Sequence, residues 1–152
     1  MSKNISNSTA PQVLSEAARL VREDFRRRAA HLNLTQPQWR TLLILSREPG
    51  INQAALAEKL EVHPVTVTQS VDRLVKAGWV RRERQETDRR AQRLFLNERA
   101  EPILEELNHI AGQTRQIAMA GFSAAECVQL ETMLMRVKQN LCATVSNSDC
   151  NE

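Results

Sequence analysis

The sequence contains no tyrosine, and its five other aromatic residues (Phe25, Trp39, Trp79, Phe95 and Phe122) make up 3% of 152 residues. With four glycines and five prolines scattered along the chain, there is little material for the strands and turns of a β-sandwich. Leu, Ala, Val and Arg dominate instead, which points to helices. No window is apolar for the length that a bilayer span requires, so no membrane partner is expected. The opening "MSKNISNSTA" has no apolar segment of the kind that directs secretion, and a cytoplasmic protein is expected. Three cysteines (Cys127, Cys142, Cys150) fall near the C-terminus without metal-ligand spacing, which argues against a disulfide framework or a zinc site. The three histidines (His31, His63, His109) are scattered, no nucleophile elbow occurs, and no glycine-rich phosphate loop is found, so neither an enzyme nor a cofactor is expected.

What the chain does have is charge in one place. Its net charge is only +3, yet from Arg73 to Arg99 nine Lys or Arg stand against four acids, a local balance of +5. That count alone fits a solvated face as well as it fits a phosphate-binding surface.

Helix signals divide the sequence. Val13, Leu14, Ala17, Leu20, Val21 and Phe25 recur at three- and four-residue steps and predict a first amphipathic helix to about Ala30. Thr35 is placed to cap a second helix, with Gln38 completing a capping box and Pro37 in the first turn, and Pro49-Gly50 ends it. Asn52 caps a short third helix with Leu56 and Leu60 inward. Pro64 opens a fourth, whose inward stripe is Val67, Val71, Leu74 and Val75 and whose C-cap is Gly78.

Two short helices around a tight turn form a helix-turn-helix pattern, and the second offers small polar side chains outward. "WVRRE", then a charged turn, then "AQRLFL" predict two strands of a hairpin directly behind it, which is the position of a wing. Leu94 and Leu96 anchor that hairpin, and the tip with Asp88, Arg89 and Arg90 projects away. On the fourth helix, Val65, Thr66, Thr68 and Gln69 lie off the apolar stripe where side chains reach base edges, and Arg73 and Lys76 suit phosphates. The partner these residues fit is double-stranded DNA.

The stretch "LTQPQW...INQAALAEKLEVHPVTVTQSVDRLVKAGWVRRERQETDRRAQRLFL" resembles the MarR family of winged-helix regulators. "DRRAQRLFLNERAEPIL" resembles its SlyA branch in particular. The likeness runs from the first helix to about Leu130. It implies a mainly α fold with a small β-hairpin wing: a winged helix-turn-helix domain at 34–97, and dimerisation helices at 11–33 and 98–146. Residues 1–10 and 147–152 are expected to be disordered tails. It further implies a sequence-specific transcriptional regulator, acting as a repressor on a palindromic operator as a homodimer, with Arg90 in the minor groove and Asp88 orienting the wing arginines. Two positions depart from the pattern: Asn97 stands where Thr usually caps the following helix, and His63 where Asp, Ser or Thr does.

Beyond the wing, Ile103, Leu104, Leu107, Ile110, Ala111 and Ile117 predict a long helix starting near Pro102. Ser123 and Glu126 form a capping box for another, with Cys127, Leu130, Leu134, Val137 and Leu141 on one apolar face. Apolar stripes that one small domain cannot cover invite a second copy. Relatives that bind small aromatic carboxylates or phenols do so between these helices and the winged helix, which makes Arg19, Thr35, Gln38 and Trp39 the candidate lining for such an effector. The competing reading is a thiol-based redox sensor. Peroxide-sensing relatives place their cysteine near the first helix, where this chain has none. Cys127 is expected to be core, leaving Cys142 and Cys150 to react.

Overall fold

The computed structural model describes residues 9–84 and 92–148. Its elements run α1 (Ala10–Arg28), a 3-10 turn (Ala29–Leu32), α2 (Gln36–Arg47), β1 (Ile51–Asn52), α3 (Gln53–Leu60), α4 (Pro64–Lys76), β2 (Val80–Arg84), β3 (Gln92–Leu96), a second 3-10 turn (Glu98–Ala100), α5 (Glu101–Ala118) and α6 (Ala124–Ser148). α1 and α6 each reach slightly into the stretches expected as tails. The fold is thus mainly helical with a small antiparallel sheet, as expected. The chain divides into two compact units, Met1–Thr114 and Arg115–Glu152, with the boundary inside the last turn of α5.

The first unit is built around one core. Phe25 and Ala29 near the end of α1, Trp39, Leu42 and Leu45 of α2, Leu56 and Leu60 of α3, Val67, Val71 and Leu74 of α4, Val80 and Leu94 of the sheet, and Leu107 and Ile110 of α5 are all buried in it. The helices start where the side chains say they should. Thr35 N–H donates to Gln38 Oε1 at 2.8 Å, and Ala55 N–H donates to Asn52 Oδ1 at 2.8 Å, so each supplies one of the bonds that a helix start otherwise lacks. Asp24 joins α1 to α5: its carboxylate accepts from Arg27, from Arg28 Nε at 2.7 Å and from Thr114 Oγ1 at 2.9 Å. These donors, Arg28 first, hold its pKa down at about 2.

Several local expectations are corrected. The first helix is α-helical only to Arg28 and then tightens into a 3-10 turn that Asn33, at φ 53°, terminates. The C-cap of α4 is Ala77, and Gly78 lies one residue beyond it at φ 77°, where a glycine costs least. Asn97 does not cap the next turn with its side chain; its Nδ2 donates instead to the Gly78 carbonyl at 3.0 Å, tying the exit of β3 to the exit of α4. β1, two residues long, was not anticipated. It completes a sheet in the order β1-β3-β2.

In the second unit, Ser123 and Glu126 form the expected capping box, and bonds of 2.8 Å from Ser123 N–H and Oγ to Glu126 lower that carboxyl's pKa. Its apolar residues are a different matter. No described residue of α6 is buried: Val128, Met133, Leu134, Met135, Val137 and Leu141 are exposed. Cys127, expected as core, is half-buried, on a helix whose described residues are otherwise mostly exposed. Ile117 is likewise exposed rather than inward. Cys142 is exposed, and Cys150 lies outside the described residues. No helix among the described residues is long and apolar enough to cross a membrane.

Candidate nucleic-acid interface

α3 and α4 are separated by three residues, Glu61 to His63. Glu61 takes the left-handed conformation (φ 56°), which closes α3. Arg40 of α2 reaches across to donate to the carbonyls of Lys59 at 2.9 Å and Leu60 at 2.8 Å, satisfying acceptors that the helix end leaves open. α4 then starts at Pro64, which loses nothing by lacking an N–H at the first helical position. His63 caps it through Nδ1, which accepts from Val65 N–H at 3.3 Å, a longer bond than the 2.8 Å carboxamide cap of α3. The departure at His63 thus still yields a cap.

Because Val67, Ser70, Val71 and Leu74 are buried, the opposite row of α4 must face outward: Val65, Thr68, Gln69, Asp72, Arg73 and Lys76 are all exposed. Thr66 lies at the edge, half-buried. Thr68 is not idle, since its hydroxyl donates to the Pro64 carbonyl at 3.1 Å and accepts from Gln53 Nε2 at 3.3 Å. Val65, near the start of that row, is 55% exposed.

The wing stem pairs β2 with β3 in the register Val80↔Leu96, Arg82↔Leu94 and Arg84↔Gln92, while β1 pairs Ile51 with Leu94 from the other side. Leu94 on the central strand is fully buried and Leu96 packs at the core's margin, so the hairpin is anchored as expected. Asp88, Arg89 and Arg90 lie outside the described residues. The basic segment is less free than its count implies. Arg81 pairs with Glu83 at 2.8 Å, donates to the Leu96 carbonyl at 2.6 Å and covers the Phe95 ring. Arg93 donates to the Gly50 carbonyl at 3.1 Å. Arg82 is paired with Asp72 at 2.6 Å and also donates to Gln53 at 3.2 Å. The roles of Gln53, Asp72 and Arg82 were missed in the sequence, and the one available signal was an acid on the outward row of an otherwise basic helix.

The four residues expected to line an effector site divide in two. Trp39 is buried, its ring centroid 4.2 Å from that of Phe25, and its Nε1 has no hydrogen-bond partner among the described residues; Gln38 is buried and committed to the α2 cap. Arg19 and Thr35 are exposed. A cavity of about 270 Å³ opens nearby, lined by Arg22, Gln36, Pro37, Arg40, Leu60, Glu61 and Val62, none of them among the four. Among the described residues, no cluster of His, Cys, Asp and Glu is arranged to hold a metal.

Comparison with known proteins bears on this geometry directly. The MarR family model matches residues 34–91, the stretch that carries α2 to the wing. The crystal structure of transcriptional regulator PA3341 is 30% identical, with 88% of this chain and 98% of that one covered and a TM-score of 0.79. The chain belongs to the MarR family. A crystal structure of MarR is 27% identical over 96% of this chain and 99% of its own, with a TM-score of 0.82. The transcriptional regulator SlyA, at 23% identity over 88% of this chain and 94% of its own, shares the fold with a TM-score of 0.75. Members of the MarR family are transcriptional regulators rather than enzymes, and the winged helix described above is their fold.

Proposed function

We propose that this MarR-family regulator binds double-stranded DNA as a homodimer, reads a palindromic operator with α4 of each subunit, and represses transcription there until a small aromatic carboxylate or phenol releases it. One observation carries the DNA reading: a single row of α4, from Val65 to Lys76, is left exposed behind a three-residue turn and beside the wing stem. Along that row, Val65 suits a thymine methyl, Gln69 can pair bidentately with adenine, Thr68 and, at the row's edge, Thr66 meet neighbouring base edges, and Arg73 and Lys76 reach phosphates. Arg90 enters the minor groove, with Asp88 orienting the wing arginines, Arg89 among them. Selection from a random DNA library tests this. The expected result is a palindrome whose half-sites are centred about one helical turn, ~34 Å, apart; recovery without a consensus would overturn it.

Dimerisation is supported separately on two helices: α1 exposes Val13, Leu20 and Val21, and α6 exposes the six apolar residues named above. Light scattering should give a mass near twice 17.3 kDa, and a stable DNA-binding monomer would refute it. An effector is supported by the 270 Å³ cavity, where the guanidinium group of Arg22 suits a carboxylate. If no aromatic acid or phenol raises the melting temperature at millimolar concentration, that part of the proposal fails.

A further inference from the structure

We infer that Arg82 is a positioning residue for base readout: it ties the wing stem to α4 and, by turning the Gln53 amide NH₂ to Thr68, steers the Thr68 hydroxyl hydrogen to the Pro64 carbonyl. This rests on α4 being the helix that enters the major groove. Arg82 sits on β2 and uses two nitrogens of its guanidinium, Nη2 to Asp72 Oδ1 at 2.6 Å and Nε to Gln53 Oε1 at 3.2 Å. Its partners belong to different elements, Asp72 to the outward row of α4 and Gln53 to the first position of α3. A planar fork bonded through two of its nitrogens to two partners has one orientation, so the three elements are held in one register at this point.

The consequence reaches Thr68. Arginine only donates, so the Gln53 amide must turn its oxygen to Arg82, and its NH₂ then faces the Thr68 hydroxyl at 3.3 Å. The hydroxyl's only hydrogen goes to the Pro64 carbonyl at 3.1 Å. One lone pair remains. Towards DNA, Thr68 can therefore accept from the exocyclic amine of adenine or cytosine, or lay its methyl on that of thymine, whereas donating to the acceptors of guanine would cost it the Pro64 bond. A second consequence concerns charge. Asp72 neutralises Arg82, so Arg82 contributes no counterion release, unlike Arg73 and Lys76 on the same face.

The alternative is that Arg82 leaves Asp72 and grips a phosphate. Lysine separates the two: it keeps the charge but lacks the rigid planar fork that holds both partners in fixed directions. The full-length Arg82→Ala, Arg82→Lys and Gln53→Ala variants are to be compared with wild type on the selected site and on its guanine substitution opposite Thr68, across a salt series. All three are expected to lose about tenfold of the discrimination against guanine, the size typical of coupled contacts. The slope of log K against log salt is expected to stay unchanged. Combining Gln53→Ala with Arg82→Ala should cost no more discrimination than either alone. A shallower slope in Arg82→Ala that Arg82→Lys restores would overturn the inference, and so would unchanged discrimination in Gln53→Ala. If calorimetry shows the Arg82 variants unfolded, Gln53→Ala decides alone, because Gln53 is only half-buried in the first turn of α3 and contributes nothing to the core. A wild-type protein that discriminates no sequence at all removes the DNA reading itself, a result distinct from any of these.

Discussion

Gln69 and Arg73 stand one turn apart on the exposed row of α4, and replacing each by alanine should separate base reading from phosphate attraction. Both side chains are exposed and neither belongs to the core cluster, so both variants should fold as wild type does. Gln69→Ala removes up to two hydrogen bonds to one base, worth about 1–3 kcal/mol per half-site, or roughly 5- to 150-fold. That loss should appear on the operator, be nearly absent on random DNA, and be independent of salt. Arg73→Ala instead removes about one phosphate contact per subunit, and each contact contributes a slope of about 0.9 in log K against log salt. For a dimer the slope should therefore fall by about 1.8, so that raising salt from about 50 to 200 mM narrows the gap to wild type by roughly 12-fold, on operator and random DNA alike. Fluorescence anisotropy with both DNAs at four or five salt concentrations measures all of this. If Gln69→Ala weakens random DNA as much as operator, or Arg73→Ala leaves the slope unaltered, the exposed row of α4 does not lie in the major groove.

Arg90→Ala should weaken operator and unrelated DNA together and flatten the salt dependence by about one unit per subunit, since minor-groove arginines act through electrostatics and shape; unchanged affinity would leave the charged tip as a solvated turn. Leu94→Ala should destabilise the protein by about 3 kcal/mol in urea unfolding, because this fully buried leucine lies on a central strand paired on both sides, which limits collapse into the cavity; a loss under about 1 kcal/mol would show that the hairpin is not anchored there. Asp24 is held at about pKa 2 against an ordinary 3.8, so the stability it contributes is present above pH 3.8 and lost as pH falls towards 2; Asp24→Asn should flatten the pH dependence of melting across that window, and an unaltered profile would show that the carboxylate's three donors are not what holds α1 to α5.

What could be read in the sequence is what neighbouring residues determine. The capping boxes at Thr35–Gln38 and Ser123–Glu126 and the cap at Asn52 each join residues three apart, and all three are present. The apolar stripe of α4 and the alternation that buries Leu94 follow from helix and strand periods. What could not be read joins distant residues. β1 forms only because Ile51 finds Leu94 across the sheet, and two residues carry no strand signal of their own. Asn97 looked like a cap because its type suits one, yet Gly78 claims its side chain. That Trp39 packs against Phe25 from another helix likewise carried no local signal. α6 shows the opposite limit: its apolar spacing gave the helix correctly, but spacing cannot say whether the residue that covers it belongs to the same chain.

The charge of the segment makes the same point in electrostatic terms. A balance of +5 between Arg73 and Arg99 cannot be translated into five phosphate contacts, because the sum leaves out Asp72, which faces Arg82, and treats Arg81 and Arg93 as free. Those three arginines hold the stem of the wing to α4, to the exit of β3 and to the turn at Gly50. The cations of the segment left to attract DNA are then Arg73 and Lys76 towards the C-terminal half of α4 and those of the wing from Arg84 on, with Arg99 exposed in the second 3-10 turn. In the proposed complex, phosphate attraction comes from either side of the base-reading turn formed by Val65, Thr68 and Gln69. Affinity should accordingly respond to salt through the flanks of the interface, while sequence preference should respond to single substitutions at its centre.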